Sequence, residues 1–290
     1  MSETHTLQTR TARTTVQVAS GLFLFKLVSF WVTGSSGVLG STLDSGLDTL
    51  ASLVVLWAVS AASRPPDADH PYGHGKAESL ASLLQSILIL ISGLGLAYHT
   101  IDRALSDDPK IKLPFVGIAV MLVSSAVTFW LIKRLRHVAR ETGSPALESD
   151  SAHYSSDLWM NIAVVLGLGT HYLLGGAVWP DLLIGIGISL LILNTVREVF
   201  ASATGNLMDK GLEAAEETAV LDSVLQFAPK VTGFHDLRAR RSGSEVFVDL
   251  HLEIQRDLSF VEAHDLAEAV SSVIQTRLPR CQIIVHADPI

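Results

Sequence analysis

Six stretches of this chain stay apolar for close to twenty residues each: roughly Val16–Thr33, Val38–Ala61, Leu80–Ile101, Leu113–Ile132, Tyr154–Leu174 and Leu182–Phe200. A helix needs about 20 such residues to cross the hydrocarbon of a bilayer. In that medium the backbone must satisfy its own hydrogen bonds, so a run of this kind has to be helical. Mean hydropathy is +0.38, and only 17% of the residues are charged, which lies outside the range of ordinary soluble domains. The spacing predicts a multi-pass membrane protein with six transmembrane α-helices, with the lipid bilayer as its first partner.

An even number of spans puts both termini on one side. The segments after the second and fourth spans carry Arg64 and Lys76, then Lys133, Arg134, Arg136 and Arg140, and the leading segment carries Arg10 and Arg13. The opposite loops, TGSSG and GGAVWPD, hold no lysine or arginine; the loop with Arg103, Lys110 and Lys112 is the one exception. The positive-inside rule therefore predicts cytoplasmic N- and C-termini. Residues 1–13 read as a polar N-terminal cytoplasmic tail without the small-residue cleavage site of a signal peptide, so the first apolar run is expected to be retained. Residues 14–204 form the expected six-helix transmembrane domain.

After Gly205 the pattern changes. LEAAEETAVLDSVLQF has helical spacing. GFHDLRARR and VFVDLHLEI read as a hairpin turning at Ser242–Gly243, the second strand placing Asp249, His251 and Glu253 on its polar face. SFVEAHDLAEAVSSVIQTRL opens with Ser259 and Glu262 in capping-box register, and CQIIVHADP is a final strand. Residues 205–290 are thus expected to be a small cytoplasmic α+β domain of order αββαβ. The single cysteine, Cys281, allows no internal disulfide and no thiolate metal cluster. A net charge of −8 argues against nucleic acid as a partner.

The second span carries two acids, Asp44 and Asp48, and STLDSGLDTLASLVVLWAVSA contains no lysine or arginine to answer them. A carboxylate at the centre of a bilayer costs roughly 2.5–3.5 kcal/mol even on the lenient insertion scale. Their i, i+4 spacing directs both from one helix face. The fifth span repeats the device with His153 and Asp157. One intramembrane aspartate is equally well explained by snorkelling or by a hydrogen bond to a neighbouring helix. Two such pairs on two helices, one with histidine, favour a metal or proton pathway, since three carboxylates and one imidazole can close a four-coordinate shell.

Two further clusters lie outside the apolar runs. RPPDADHPYGHGKAESL offers Asp67, His70 and His74, with Asp69 as a second acid beside His70, a weak signal on its own because loop histidines are commonly solvated. The C-terminal region holds His235, His251, His264 and His286, four of the chain's eleven histidines, together with Asp288. Surface usage by chance also accounts for such a group.

In combination, GVLGSTLDSGLDTLASL, HPYGHGKAESL and AHYSSDLWMN resemble the motifs of the cation diffusion facilitators, especially the bacterial zinc and iron exporters. The likeness covers nearly the whole chain. It implies a metallochaperone-like cytoplasmic domain, a homodimer, and a cell inner (plasma) membrane location. It assigns Asp44, Asp48, His153 and Asp157 to a transport site, and Asp67, His70 and His74 to a loop site. It assigns His235, His251, His264, His286 and Asp288 to a binuclear site of the cytoplasmic domain, and Lys76 and Asp209 to an inter-subunit charge interlock.

The expected function is export of a divalent metal cation by alternating access with proton exchange. Ligands must be deprotonated to hold metal, and a histidine of unperturbed pKa ~6.5 releases it on the more acidic side. A shell of one nitrogen and three oxygens suits Zn2+ first, with Fe2+, Cd2+ or Co2+ behind it. The alternatives are a membrane-bound metal sensor or a metalloenzyme without transport activity. The chain contains no HExxH and no GxSxG, so it is not expected to be an enzyme.

Overall fold

The computed structural model of the chain describes residues 3–33, 36–105, 115–173 and 179–290. Lys110, Lys112, Leu113 and Leu174 lie outside the described residues, as do positions 34–35 and 175–178 of the two loops expected to lack basic residues. The chain divides into two compact units, Met1–Thr204 and Gly205–Ile290.

Among the described residues the first unit holds six long helices: α1 (Glu3–Thr33), α2 (Ser36–Ala62), α3 (Lys76–Leu105), α4 (Phe115–Thr142), α5 (Pro145–Leu173) and α6 (Trp179–Leu207). Each exceeds the apolar run that announced it. Among the described residues, α1, α2, α3 and α6 contain stretches long and apolar enough to cross a membrane. The polar segment expected as a tail is helical and runs on into α1 from Glu3, with Gln8, Thr11 and Ala12 buried. Pattern reading stopped α1 at the first apolar residue because its early turns bury polar side chains.

Burial in this unit mixes an aliphatic core, with Val55, Leu131, Leu135 and Leu147 fully buried, with apolar side chains left exposed and polar ones enclosed. Leu43, Leu47, Leu50 and Trp57 of α2 are exposed, whereas Thr42, Ser45 and Ser52 of the same helix are buried. Lipid tails are as apolar as leucine, so helices associate through small and polar groups rather than through the hydrophobic effect. The α3–α5 contact illustrates this. Gln85 Nε2 donates to Asp150 Oδ1 at 3.1 Å, Ser149 Oγ donates to Ser82 Oγ at 3.1 Å, and Ser144 Oγ donates to Glu78 Oε2. Such bonds stabilise the pairing by roughly 0.6–2 kcal/mol each. Where α3 meets α6 the Thr100 side chain fills the space over a glycine: a Cβ on Gly185 would lie 2.3 Å from Thr100 Oγ1. Ile89, Ile188 and Ile192 are buried there with Ala163 of α5.

The second unit holds α7 (Ala214–Val224), a single 3-10 turn, β1 (Val231–Ser242), β2 (Glu245–Ile254), α8 (Phe260–Arg277) and β3 (Cys281–Pro289). The order is the expected αββαβ. Strands β1 and β2 form an antiparallel hairpin through a turn in which Gly243 takes φ 61°. Glycine populates this region without steric cost, which suits the two-residue turns that match strand twist. β3 returns parallel to β2 after the α8 crossover, giving the sheet order β1-β2-β3. Val246, Val248, Leu250, Leu252 and Ile254 of β2 are buried against Leu266, Val270 and Ile274 of α8. Ser259 caps α8 as its register with Glu262 predicted, each side chain accepting from the other's backbone N–H. Cys281 is buried, which pushes its thiol up to about 11.

Candidate metal centres

The first cluster joins α2 to α5. His153 Nε2 lies 3.2 Å from Asp48 Oδ1 and 3.7 Å from Asp157 Oδ2. One donor atom from each of these three residues falls within 4.8 Å of the other two. His153 and Asp157 reach the same point because they are one turn apart on α5. The helices are pinned beside the cluster by a 2.8 Å hydrogen bond between Ser52 Oγ and Tyr154 Oη. Asp48 and Ser52 are four residues apart on α2, and His153 and Tyr154 are adjacent on α5, so this contact sets the spacing of the ligands. Asp44, one turn earlier on α2, is exposed and does not belong to the gathered atoms.

A base does answer these acids, from another helix. Lys26 of α1 donates through Nζ to Ser45 Oγ at 2.7 Å and to Ser41 O at 3.3 Å, and its charge interacts with those of Asp48, Asp157 and Asp44. The available signal was a lone lysine within the first apolar run, in GLFLFKLVSFW. An ionisable residue at that depth is costly and calls for a partner.

The second cluster is the α2–α3 loop. Asp67 Oδ1 accepts from the backbone N–H of His70 at 2.7 Å and of Asp69 at 3.1 Å. Its two oxygens also lie 3.3 Å from His70 Nδ1 and 3.3 Å from His74 Nε2. The two imidazole rings lie 4.4 Å apart between centroids, tilted by 41°. Asp67 rather than Asp69 therefore faces the imidazoles. The backbone N–H of His70 holds the Asp67 carboxyl below the usual carboxylate range. Gly73 enables the loop to turn back, with φ 79° and its N–H donated to His70 O.

The third cluster lies on the open face of the C-terminal sheet. Strand register sets His235, His251 and His286 side by side across β1, β2 and β3. Asp288, two residues after His286, shares their face. Its Oδ2 lies 2.8 Å from His251 Nδ1 and 3.3 Å from His235 Nε2, and its Oδ1 lies 3.1 Å from His286 Nε2. The His251 hydrogen bond draws the Asp288 carboxyl below its usual value. A bulge between His235 and Arg238, with Asp236 at φ 49°, separates His235 from the regular pairing that follows.

Sequence reasoning missed Glu253 as a member of this group, although the strand alternation had placed it on the polar face. Its Oε1 is 3.1 Å from His235 Nδ1. Gly233 makes room for it: a Cβ there would come within 2.7 Å of Glu253 Oε2. Within one protomer His264 lies apart from these four residues. It stands exposed on α8, which packs on the buried face of β2, while the other four residues occupy the opposite face.

A model of the cation efflux transmembrane domain matches residues 14–208, and one of the cation efflux protein cytoplasmic domain matches residues 212–290. The cation-efflux pump FieF of Salmonella schwarzengrund (strain CVM19633) is 38% identical over 283 residues, covering 98% of this chain and 93% of that protein. FieF of Salmonella newport (strain SL254) is similar to the same extent, 38% over 283 residues. Among solved structures, CzrB matches 28% of this chain and 99% of its own at 26% identity and a TM-score of 0.27. MamM-CTD matches 26% of this chain and 96% of its own at 23% identity and a TM-score of 0.25.

Proposed function

Because this chain belongs to the cation efflux family, and is therefore a membrane transporter and not an enzyme, we propose that it exports divalent zinc in exchange for protons. The transport site is made by Asp48, His153 and Asp157, with Asp44, one turn away on α2 and outside the gathered atoms, turning in as the fourth donor when the ion binds. The observation that carries this reading is the convergence of two carboxylates and an imidazole from α2 and α5 to within 4.8 Å. Like charges brought so close in apolar surroundings take up either protons or a cation, the two species that an exchanger carries. One nitrogen with carboxylate oxygens suits zinc and also accepts Fe2+, Cd2+ or Co2+.

An ion on these donors and protons on the same donors exclude each other. Alternating exposure of the site to the two sides of the membrane then couples the fluxes. The ion enters a deprotonated shell from the near-neutral cytoplasm and is displaced by protons from a more acidic exterior. The reading includes six crossings of the inner (plasma) membrane, both termini in the cytoplasm, and a homodimer. It gives Asp67, His70 and His74 a loop site, the His235–His251–His286–Asp288 face a regulatory site, and Lys76 and Asp209 a charge interlock between subunits.

The experiment is flux into sealed vesicles holding a trapped zinc dye, with and without a pH gradient. Protein-dependent flux that an ionophore slows by collapsing the gradient is the expected result. Zinc movement indifferent to the gradient defeats the exchange, and absence of zinc movement with intact cobalt or iron(II) flux defeats the choice of metal.

A further inference from the structure

One turn before His153, α5 carries another acid, Asp150, which is 0% exposed. Its Oδ1 accepts the Gln85 hydrogen bond from α3, while Oδ2 is buried with no hydrogen-bond partner among the described residues. The His153 ring shows the complementary pattern. Nε2 is turned to Asp48 and Asp157, and Nδ1 is buried without a partner among the described residues. Two buried polar atoms left unpaired each cost roughly 1–3 kcal/mol. Residues at i and i+3 of a helix have Cβ atoms about 5–6 Å apart. Helical side chains also lean toward the N-terminus, which tilts His153 back over the turn that holds Asp150.

We propose that Asp150 is the positioning carboxylate of the ion site, its Oδ2 accepting the Nδ1–H of His153 directly or through one water. The inference rests on the reading of Asp48, His153 and Asp157 as that site. A histidine that presents the Nε2 lone pair to a cation must carry its proton on Nδ1, and a carboxylate at Nδ1 fixes that tautomer, locks the ring and raises its basicity. Gln85 holds the carboxylate in turn. A chain of contacts therefore runs from α3 through Asp150 and His153 of α5 to the α2 ligand. Binding the α3 and α5 helices together, the bland role for Asp150, needs only Oδ1 and leaves Oδ2 unexplained.

The test is zinc flux by the full chain in sealed vesicles, with half-saturating zinc and maximal flux measured separately. Asp150→Ala is expected to raise half-saturating zinc about 10- to 100-fold. Asp150→Asn keeps the shape and an acceptor oxygen but loses the charge, and is expected to raise it about 3- to 10-fold. Gln85→Ala moves it in the same direction by freeing the carboxylate to turn away. A purely structural role lowers maximal flux, through the amount of active protein, and leaves half-saturation unchanged. That result in the folded Asp150→Asn protein overturns the proposal, as does wild-type behaviour of both Asp150→Asn and Gln85→Ala. These two decide the matter if Asp150→Ala does not fold. Asp48→Ala separates the premise from the inference. Full flux in that variant removes the ion site itself, whereas loss of flux there with unaltered Asp150 variants overturns the positioning role alone.

Discussion

In the helical unit, His153 has a side chain only 6% exposed and meets Asp48 and Asp157 across the contact of two helices. In the C-terminal unit, His235, His251 and His286 stand 45%, 38% and 64% exposed, in a row across one sheet, around a single aspartate. Both clusters combine imidazole with carboxylate, but in inverse proportion and with opposite solvation. In the buried cluster each ligand compensates the desolvation of the others, so the set is worth more than its members. On the open sheet water takes the place of any ligand removed. The first arrangement suits an all-or-none step and the second a graded response.

The most damaging change is therefore expected at Asp48. Asp48→Ala leaves His153 and Asp157 without their partner on α2, and zinc flux in vesicles should fall to background while the protein keeps its oligomeric state on size-exclusion chromatography. Sustained flux would erase the contrast between the two clusters. Next comes His153→Asp, which replaces the only nitrogen donor by oxygen. The preference series measured by competition should shift toward harder cations such as manganese, because carboxylate and water ligands suit that ion. An unaltered series would remove His153 from contact with the cargo.

These two positions were legible because i, i+4 spacing is a property of one helix. What lay between helices was not. Nothing in the sequence near Asp48 points to Lys26, because which face of α1 meets α2 depends on how the helices rotate and cross. Gln85 and Asp150 escaped for the same reason: each looks like an isolated polar residue until α3 and α5 are packed. Asp44 shares a face with Asp48 by spacing, yet its carboxylate stays outside the gathered ligand atoms. The sheet was easier to read, since strict alternation fixed its faces. Even so, Glu253 gained its partner only through the register of β1 on β2, and within one protomer His264 stands apart because α8 lies on the other layer.

On the open face, His251→Ala should do less. Asp288 keeps its contacts to His235 and His286, so ligands remain. Fewer ions should bind per protomer by isothermal titration, and half-saturating zinc for flux should rise several-fold, with maximal flux largely retained. Loss of flux at saturating zinc would make this face part of the conduction route or the fold rather than a regulator. Full metal binding with unchanged affinity would remove His251 from the site.

The smallest effect lies where α8 begins, and it tests whether the exposed unit responds to local change without global loss. Ser259 accepts from the Glu262 N–H at 3.3 Å, and the Glu262 carboxylate accepts from the Ser259 backbone N–H at 2.9 Å and from its hydroxyl at 2.7 Å. Ser259→Ala removes an N-cap, worth about 1 kcal/mol, so amide exchange in the first turn of α8 should quicken about 5-fold near neutral pH. The hydroxyl and backbone bonds from Ser259 hold the Glu262 carboxyl below its usual value. A carboxyl whose folded pKa is depressed contributes stability above its unfolded pKa of about 4.3 and loses it as pH falls through the folded value. The gap between wild type and Ser259→Ala should therefore narrow below that pH, as protonation weakens the acceptor in the wild-type box. Exchange rates that differ by the same factor at pH 7 and in acid would show that the serine acts without the glutamate, as a simple cap.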